Sequence, residues 1–291
     1  MNNFLLTLLK LFFQISSRIT PSLSVRVAEK IFTTPFYSKR RAGEEKTLEK
    51  AERFSIPMDP KRSLSGYRWG NKSDPSILLI HGWTATATCF ANFIEPLLIN
   101  GYQVISYDSI AHGDTSGMSV SMTEWADTVS AVNNEVGKVH CIIGHSLGSG
   151  AIIIASSLNL NTDKIVLISP VTDIIEITNR FAGILSIPDE IIRKMHQYAW
   201  KKYYTSASKY GKNWYDIFKS DFKVPTLIVH DRNDNKIDIS NALNLTKQWE
   251  WAEFFETKKL GHRRILSNKH VIKEVIKFIM RPNILLMNGN D

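Results

Sequence analysis

Short, continuous apolar runs alternate with longer amphipathic stretches through most of the chain, from about residue 64 to residue 280. Ser76–Ile80, Gln103–Tyr107, Val139–Ile143, Lys164–Ser169, Thr226–His230 and Glu253–Thr257 have the unbroken apolar character of strands buried on both faces. Phe90–Asn100, closed by Gly101, then Met122–Val136, the small-residue stretch Ser149–Ala155, and Arg264–Met280 carry helical patterning. This alternation predicts an α/β class with a mostly parallel central sheet and helices on both faces.

The interval 171–222 breaks the alternation. It holds ten of the chain's thirty aromatic residues: Phe181, Tyr198, Trp200, Tyr203, Tyr204, Tyr210, Trp214, Tyr215, Phe218 and Phe222. Any one of them reads equally well as packing. Together they predict a helical lid inserted over the carboxyl edge of the sheet, where open α/β sheets bind ligands, with an apolar lining suited to an acyl or aromatic group.

The first forty-three residues form a separate arm, and the main body is expected over 60–291. Phe4–Ile15 is nearly all apolar but too short for a membrane span and interrupted by Lys10. Its polar residues, Thr7, Lys10, Gln14 and Ser17, fall on one stripe of a helix opposite a wide apolar face. Thr20-Pro21 reads as an N-cap and first position of a second helix, which places Leu23, Val27 and Ile31 on one face and ends at Pro35. Three readings stand: an interfacial anchor on anionic lipid, packing on the protein's own body or on a second subunit, and a cleaved signal peptide. The last lacks a base before the apolar run and a clear small-x-small cleavage site.

Charge sharpens this division. The 291 residues carry a formal net charge of +8. The arm holds seven Lys or Arg against the single acid Glu29, whereas the remainder is nearly balanced. A near-neutral body argues against a nucleic-acid partner. The two cysteines, Cys89 and Cys141, are far apart and read as reduced thiols of a cytoplasmic protein, the arm offering peripheral attachment to the inner face of the membrane. No metal-ligand spacing, P-loop or dinucleotide fingerprint is present, so no metal or cofactor is expected.

The chemistry is carried by Gly144-His145-Ser146-Leu147-Gly148, which lies between a strand pattern and a small-residue helix. Gly-x-Ser-x-Gly in that context is a nucleophile elbow: the turn is so tight that flanking positions admit only glycine, and it lifts the serine hydroxyl to the positive end of the next helix. Such a serine needs a base, and the base needs a carboxylate, in the chain order Ser, acid, His. Of eight histidines, His262 alone follows the last strand and precedes the last helix; His81, His112, His140, His145 and His230 read as structural, while His196 lies in the lid and His270 on the last helix. Asp234, in the loop after Thr226–His230, is the expected acid. Asp231 is too close to the strand end, Asp238 too far along, and Asp173 is the runner-up after the preceding strand. Backbone amides of Leu147, after the nucleophile, and Trp83, after His81-Gly82, are the expected oxyanion donors.

His81-Gly82-Trp83, the Asp108–Gly117 loop, the elbow, His230…Asp234 and Gly261-His262 together resemble the α/β-hydrolase superfamily over roughly residues 60–281, and within it bacterial serine hydrolases of the lipase, esterase and serine aminopeptidase type. The resemblance implies the α/β-hydrolase fold, a Ser146–His262–Asp234 triad and no cofactor. One loop departs from the usual Asp-x-Pro-Gly-His-Gly: Ile110-Ala111 replace the proline and glycine. The expected activity is hydrolysis of an ester with an apolar acyl group. The alternatives are peptidase or amidase, thioesterase or acyltransferase activity on the same fold, or a binding protein without turnover. Oligomeric state is left open.

Overall fold

The computed structural model describes residues 3–35, 40, 43–214, 216–220 and 222–282. Its centre is an eight-stranded sheet in the order β1-β2-β4-β3-β5-β6-β7-β8. These strands are β1 Glu52–Asp59, β2 Arg62–Trp69, β3 Ser76–Ile80, β4 Gln103–Asp108, β5 Cys141–His145, β6 Ile165–Ile168, β7 Thr226–Asp231 and β8 Ala252–Thr257. The pairs from β4 to β8 are parallel, and β1 and β2 add an antiparallel hairpin at one edge.

The helices are α1 Asn3–Ile19, α2 Pro21–Thr33, α3 Glu44–Glu49, α4 Ala91–Ile99, α5 Met122–Val136, α6 Leu147–Ser156, α7 Ile174–Leu185, α8 Asp189–Lys202, α9 Tyr204–Ala207, α10 Ser240–Gln248, α11 Gly261–Arg264 and α12 Lys269–Met280. The apolar runs of the parallel strands explain the layering. Successive residues of a strand point to opposite faces, so Leu78 and Ile80 enter one core with Trp125, Val129 and Ile152, while Ile77 and Leu79 enter another with Phe93, Leu97, Val271 and Val275. Helices α5, α6 and α10 cover the first face, and α4 and α12 the second.

Several boundaries differ from those the pattern predicts. The elbow strand is Cys141–His145 rather than Val139–Ile143; Val139 makes only an isolated bridge to Thr162. The expected helix Arg264–Met280 is broken: α11 is followed by a 3-10 turn at Ile265–Ser267, and Asn268 then starts α12 by accepting hydrogen bonds from His270 N and Val271 N. Thr20 stands before α2, but its hydroxyl makes no cap; its carbonyl instead accepts from Leu23 N and Ser24 N. The α2 helix ends at Thr33, and Thr34, which precedes Pro35, is extended as that position demands.

The arm does pack on the body. Phe13, Val25 and Ala28 form a third core with Ala182, Leu185, Ile187, Ile191, Ile192 and Met195 of the 171–222 insertion. A Ser16–Ser24 hydroxyl bond of 2.7 Å joins α1 to α2. Glu29, almost fully buried, accepts from Lys202 Nζ at 2.8 and 2.9 Å and from the Tyr203 hydroxyl at 2.5 Å. Further on, the Arg40 guanidinium donates to Asp108 at 2.6 Å and to Asp114 at 2.9 Å, which ties the end of the arm to the loop after β4. None of the described helices is long and apolar enough to cross a membrane.

Candidate active site

The strand order reverses at β3: the chain steps from it to β4 on one side and then crosses back past it to β5 on the other, which opens a crevice at their carboxyl ends. Into that crevice β5 delivers Ser146. Its backbone has φ 56° and ψ −125°, a left-handed conformation that a non-glycine residue adopts only where the surroundings impose it. The flanking glycines are required by contact. A Cβ on Gly144 would lie 2.4 Å from Ile152 Cδ1, and one on Gly148 would lie 2.3 Å from the His81 carbonyl oxygen. Ser146 sits immediately before the first turn of α6, whose unpaired amides and dipole favour developing negative charge.

His262 Nε2 lies 3.0 Å from Ser146 Oγ, and His262 Nδ1 lies 2.7 Å from Asp234 Oδ2. The other Asp234 oxygen accepts from the amides of Lys236 and Ile237 at 2.8 and 3.1 Å. Burial alone would raise the Asp234 carboxyl; the His262 hydrogen bond and charge and the two amides outweigh it and hold the group at about 2. It is therefore an anion at any ordinary pH. A proton held on Nδ1 by that carboxylate leaves Nε2 free to accept from the serine hydroxyl.

Two residues whose roles the sequence did not disclose support this row. Asp231, fully buried at the end of β7, accepts from Leu260 N at 3.0 Å, Gly261 N at 2.9 Å, Asn233 N at 3.0 Å and the Thr257 hydroxyl at 2.8 Å. It thus joins the loop that carries the acid to the loop that carries the histidine. Burial would raise its carboxyl too, but these four donors lower it. His145 donates from Nε2 to the His262 carbonyl at 2.8 Å and packs ring to ring with His262 at 4.7 Å. Burial, with the neighbouring His262, pushes its pKa down to about 3, so it is a neutral prop. The runner-up Asp173 is an N-cap, accepting from Ile175 N and Glu176 N at the start of α7.

The loop carrying Trp83 is also fixed by neutral histidines. His81 Nδ1 donates to the Gly82 carbonyl and Nε2 accepts from Ser109 N. His112 Nδ1 donates to the Ile110 carbonyl and Nε2 accepts from Thr84 N. Burial lowers their pKa values to about 4 and about 3. Trp125 packs against both rings and against Trp83. A Cβ on Gly82 would come within 2.9 Å of Ser146 Cβ, so the backbone just before Trp83 runs close against Ser146. In the same loop system Ala111, standing where the usual motif has glycine, takes a φ of 62°.

A cavity of about 280 Å³ adjoins this centre, with Trp83 and Leu147 in its wall. Three of the insertion's ten aromatics line it, Phe181, Tyr203 and Trp214, together with Ile174, Ile177 and Met195. The others named from the sequence mainly pack the fold, as Tyr210 does in its hydrogen bond to Asp127, while Tyr215 lies outside the described residues. Further wall comes from the arm, at Ile31, Phe32, Thr33 and Thr34, and from the body, at Val120, Ser121, Met122 and Trp125. Among the described residues no group of His, Cys, Asp or Glu is arranged to hold a metal ion.

The sequence profile of the alpha/beta hydrolase family matches residues 77–269. Among curated proteins none matches the chain in sequence. Solved structures share its fold at low identity. The esterase Pf2001 of Pyrococcus furiosus superposes with a TM-score of 0.63 at 20% identity, over 85% of this chain and 96% of its own. The 2-hydroxy-6-oxo-6-phenylhexa-2,4-dienoate hydrolase of Rhodococcus sp. strain RHA1 gives 0.57 at 16% identity, over 80% and 100%. A thioesterase domain from the curacin biosynthetic pathway gives 0.55 at 15% identity, over 79% and 99%.

Proposed function

Because the chain belongs to the alpha/beta hydrolase family, we propose that it is a serine hydrolase that cleaves carboxylic esters with apolar acyl groups through an acyl-Ser146 intermediate. The observation that carries this reading is the hydrogen-bonded row Ser146–His262–Asp234, with its serine at a strained elbow beside an apolar cavity. As Ser146 Oγ forms its bond to the ester carbonyl carbon, His262 Nε2 takes the hydroxyl proton, and the Asp234 carboxylate stabilises the imidazolium. The amides of Leu147 and Trp83 receive the oxyanion. Collapse of the tetrahedral intermediate breaks the bond to the leaving oxygen, to which His262 returns the proton. Water then repeats the sequence on the acyl-enzyme and frees the acid. The 171–222 insertion acts as a lid that, with the arm, holds the acyl chain.

Ser146→Ala tests the reading. It should abolish labelling by a fluorophosphonate and lower turnover about 10³-fold or more. Labelling that persists on another serine would defeat the assignment, and a wild-type protein that takes no label would be a binding protein instead. Esters, thioesters and amides sharing one acyl group fill the same cavity, so comparing them side by side identifies the preferred bond.

A further inference from the structure

The apolar face of α1 is wider than the surface it packs on. Leu6, Leu9, Phe12 and Phe13 turn inward onto the insertion. Leu5, Leu8, Leu11, Ile15 and Ile19, spaced three or four residues apart along the other half of that face, are 46%, 46%, 51%, 51% and 73% exposed. A two-turn or longer row of Leu and Ile left in water costs free energy unless something covers it. Around it the arm is basic. Lys10, Arg18, Arg26 and Lys30 lie on α1 and α2, and the lone acid, Glu29, is turned inside and neutralised by Lys202.

We infer that the outward face of α1 docks on an anionic lipid bilayer, and, resting on the esterase reading above, that the acyl ester cleaved here is carried in that bilayer. An amphipathic helix of this kind lies in the plane of the interface, its apolar row in the acyl boundary and its bases toward the lipid phosphates. A second copy of the chain is the weaker occupant, since pairing α1 with its own kind would bring two strongly basic arms together. The route to the active site supports a lipid-borne substrate. The hairpin that meets the bilayer through α1 ends in Ile31–Thr34, which wall the cavity beside Ser146. The element that meets the bilayer is therefore continuous in chain with the wall of the cavity that would receive the acyl chain.

The test is co-sedimentation of the full-length protein with phosphatidylcholine vesicles, with and without phosphatidylglycerol, at low and high salt. Wild type should sediment with the anionic vesicles, less so at high salt but not to zero, because screening removes only the charge contribution. The double variant Leu8→Glu, Leu11→Glu changes positions that take no part in the cavity wall and stand about half in solvent. It should bind roughly tenfold or more weakly, given the apolar area withdrawn from lipid, while keeping its melting temperature, its fluorophosphonate labelling and its rate on a dissolved short-chain ester. Its rate on a long-chain ester embedded in the vesicles should fall with binding. Wild type that ignores anionic vesicles, or a variant that binds as well as wild type, overturns the docking. So does a wild-type dimer that the variant splits, when neither form sediments with lipid. Vesicle binding without hydrolysis of any ester would uphold the docking and overturn the esterase reading instead.

Discussion

At the scale of single residues, one carboxylate is hydrogen-bonded to His262 and another holds the loops that carry the pair. Asp234 makes the 2.7 Å bond to His262; Asp231, three positions earlier, touches no reacting group but takes the amides of Leu260 and Gly261 beside it. Asp173 is occupied at the start of α7. Asp234→Asn should therefore leave the fold intact and lower kcat by about 10⁴-fold, since the amide no longer fixes the imidazole tautomer. Asp173→Asn should stay near wild type in both rate and stability, because asparagine caps a helix as well as aspartate. Steady-state kinetics on the two variants decide the matter: an inactive Asp173→Asn with an active Asp234→Asn would reverse the assignment.

At the scale of elements, the arm is a wall of the apolar cavity as much as an appendage. Catalytic efficiency should climb from acetyl to octanoyl esters by up to roughly fourfold per methylene, the worth of about 0.8 kcal/mol of burial. Ile31→Trp, which fills the cavity from the arm side, should shorten the preferred chain while acetyl ester hydrolysis stays near wild type. A length series unchanged by this substitution would show that acyl chains bind elsewhere. This role of the arm was not legible in the sequence, which showed the apolar faces of its helices but carries no mark of which distant segment they meet. The hairpin β1–β2 was missed for a local reason. Glu52–Asp59 contains Pro57 and alternates weakly because it is an edge strand with one buried position in the middle, at Ile56. Legibility was highest where constraints are local. The parallel strands are apolar throughout because both faces are covered, and the elbow must carry glycines because Ile152 and the His81 carbonyl leave no room. That Asp234 and His262 lie beside Ser146 was readable because each follows a strand end, whereas Asp231 acts mainly through backbone amides, which leave no mark in the sequence.

At the scale of the whole molecule, the site is framed by histidines that folding keeps neutral. His81, His112 and His145 are held at about 4, 3 and 3, against an ordinary 6.5. In the unfolded chain they would bind protons as the pH drops below about 6.5, and in the fold they do not. The stability is therefore full above that value and is lost as the pH falls, by up to about 2 kcal/mol for each histidine at pH 5. Against a typical total of about 5–15 kcal/mol this is a large share. Thermal melts should show a steep fall in midpoint between pH 7 and 5, shallower in His112→Asn by one histidine's contribution. A midpoint flat over that range would mean that these rings are charged in the fold.

The two-part lining of the cavity has a consequence for how such a protein can change over generations. Ser146, Asp234 and His262 come from the ends of β5, β7 and β8, whereas much of the lining is drawn from Glu29 and residues 31–34 of the arm and from the insertion, neither of which holds any of the three. Much of the cavity wall and the hydrogen-bonded row are thus written in separate stretches of the chain. Exchange of residues 1–35 alone would reshape one side of that wall while Ser146, Asp234 and His262 are inherited unaltered.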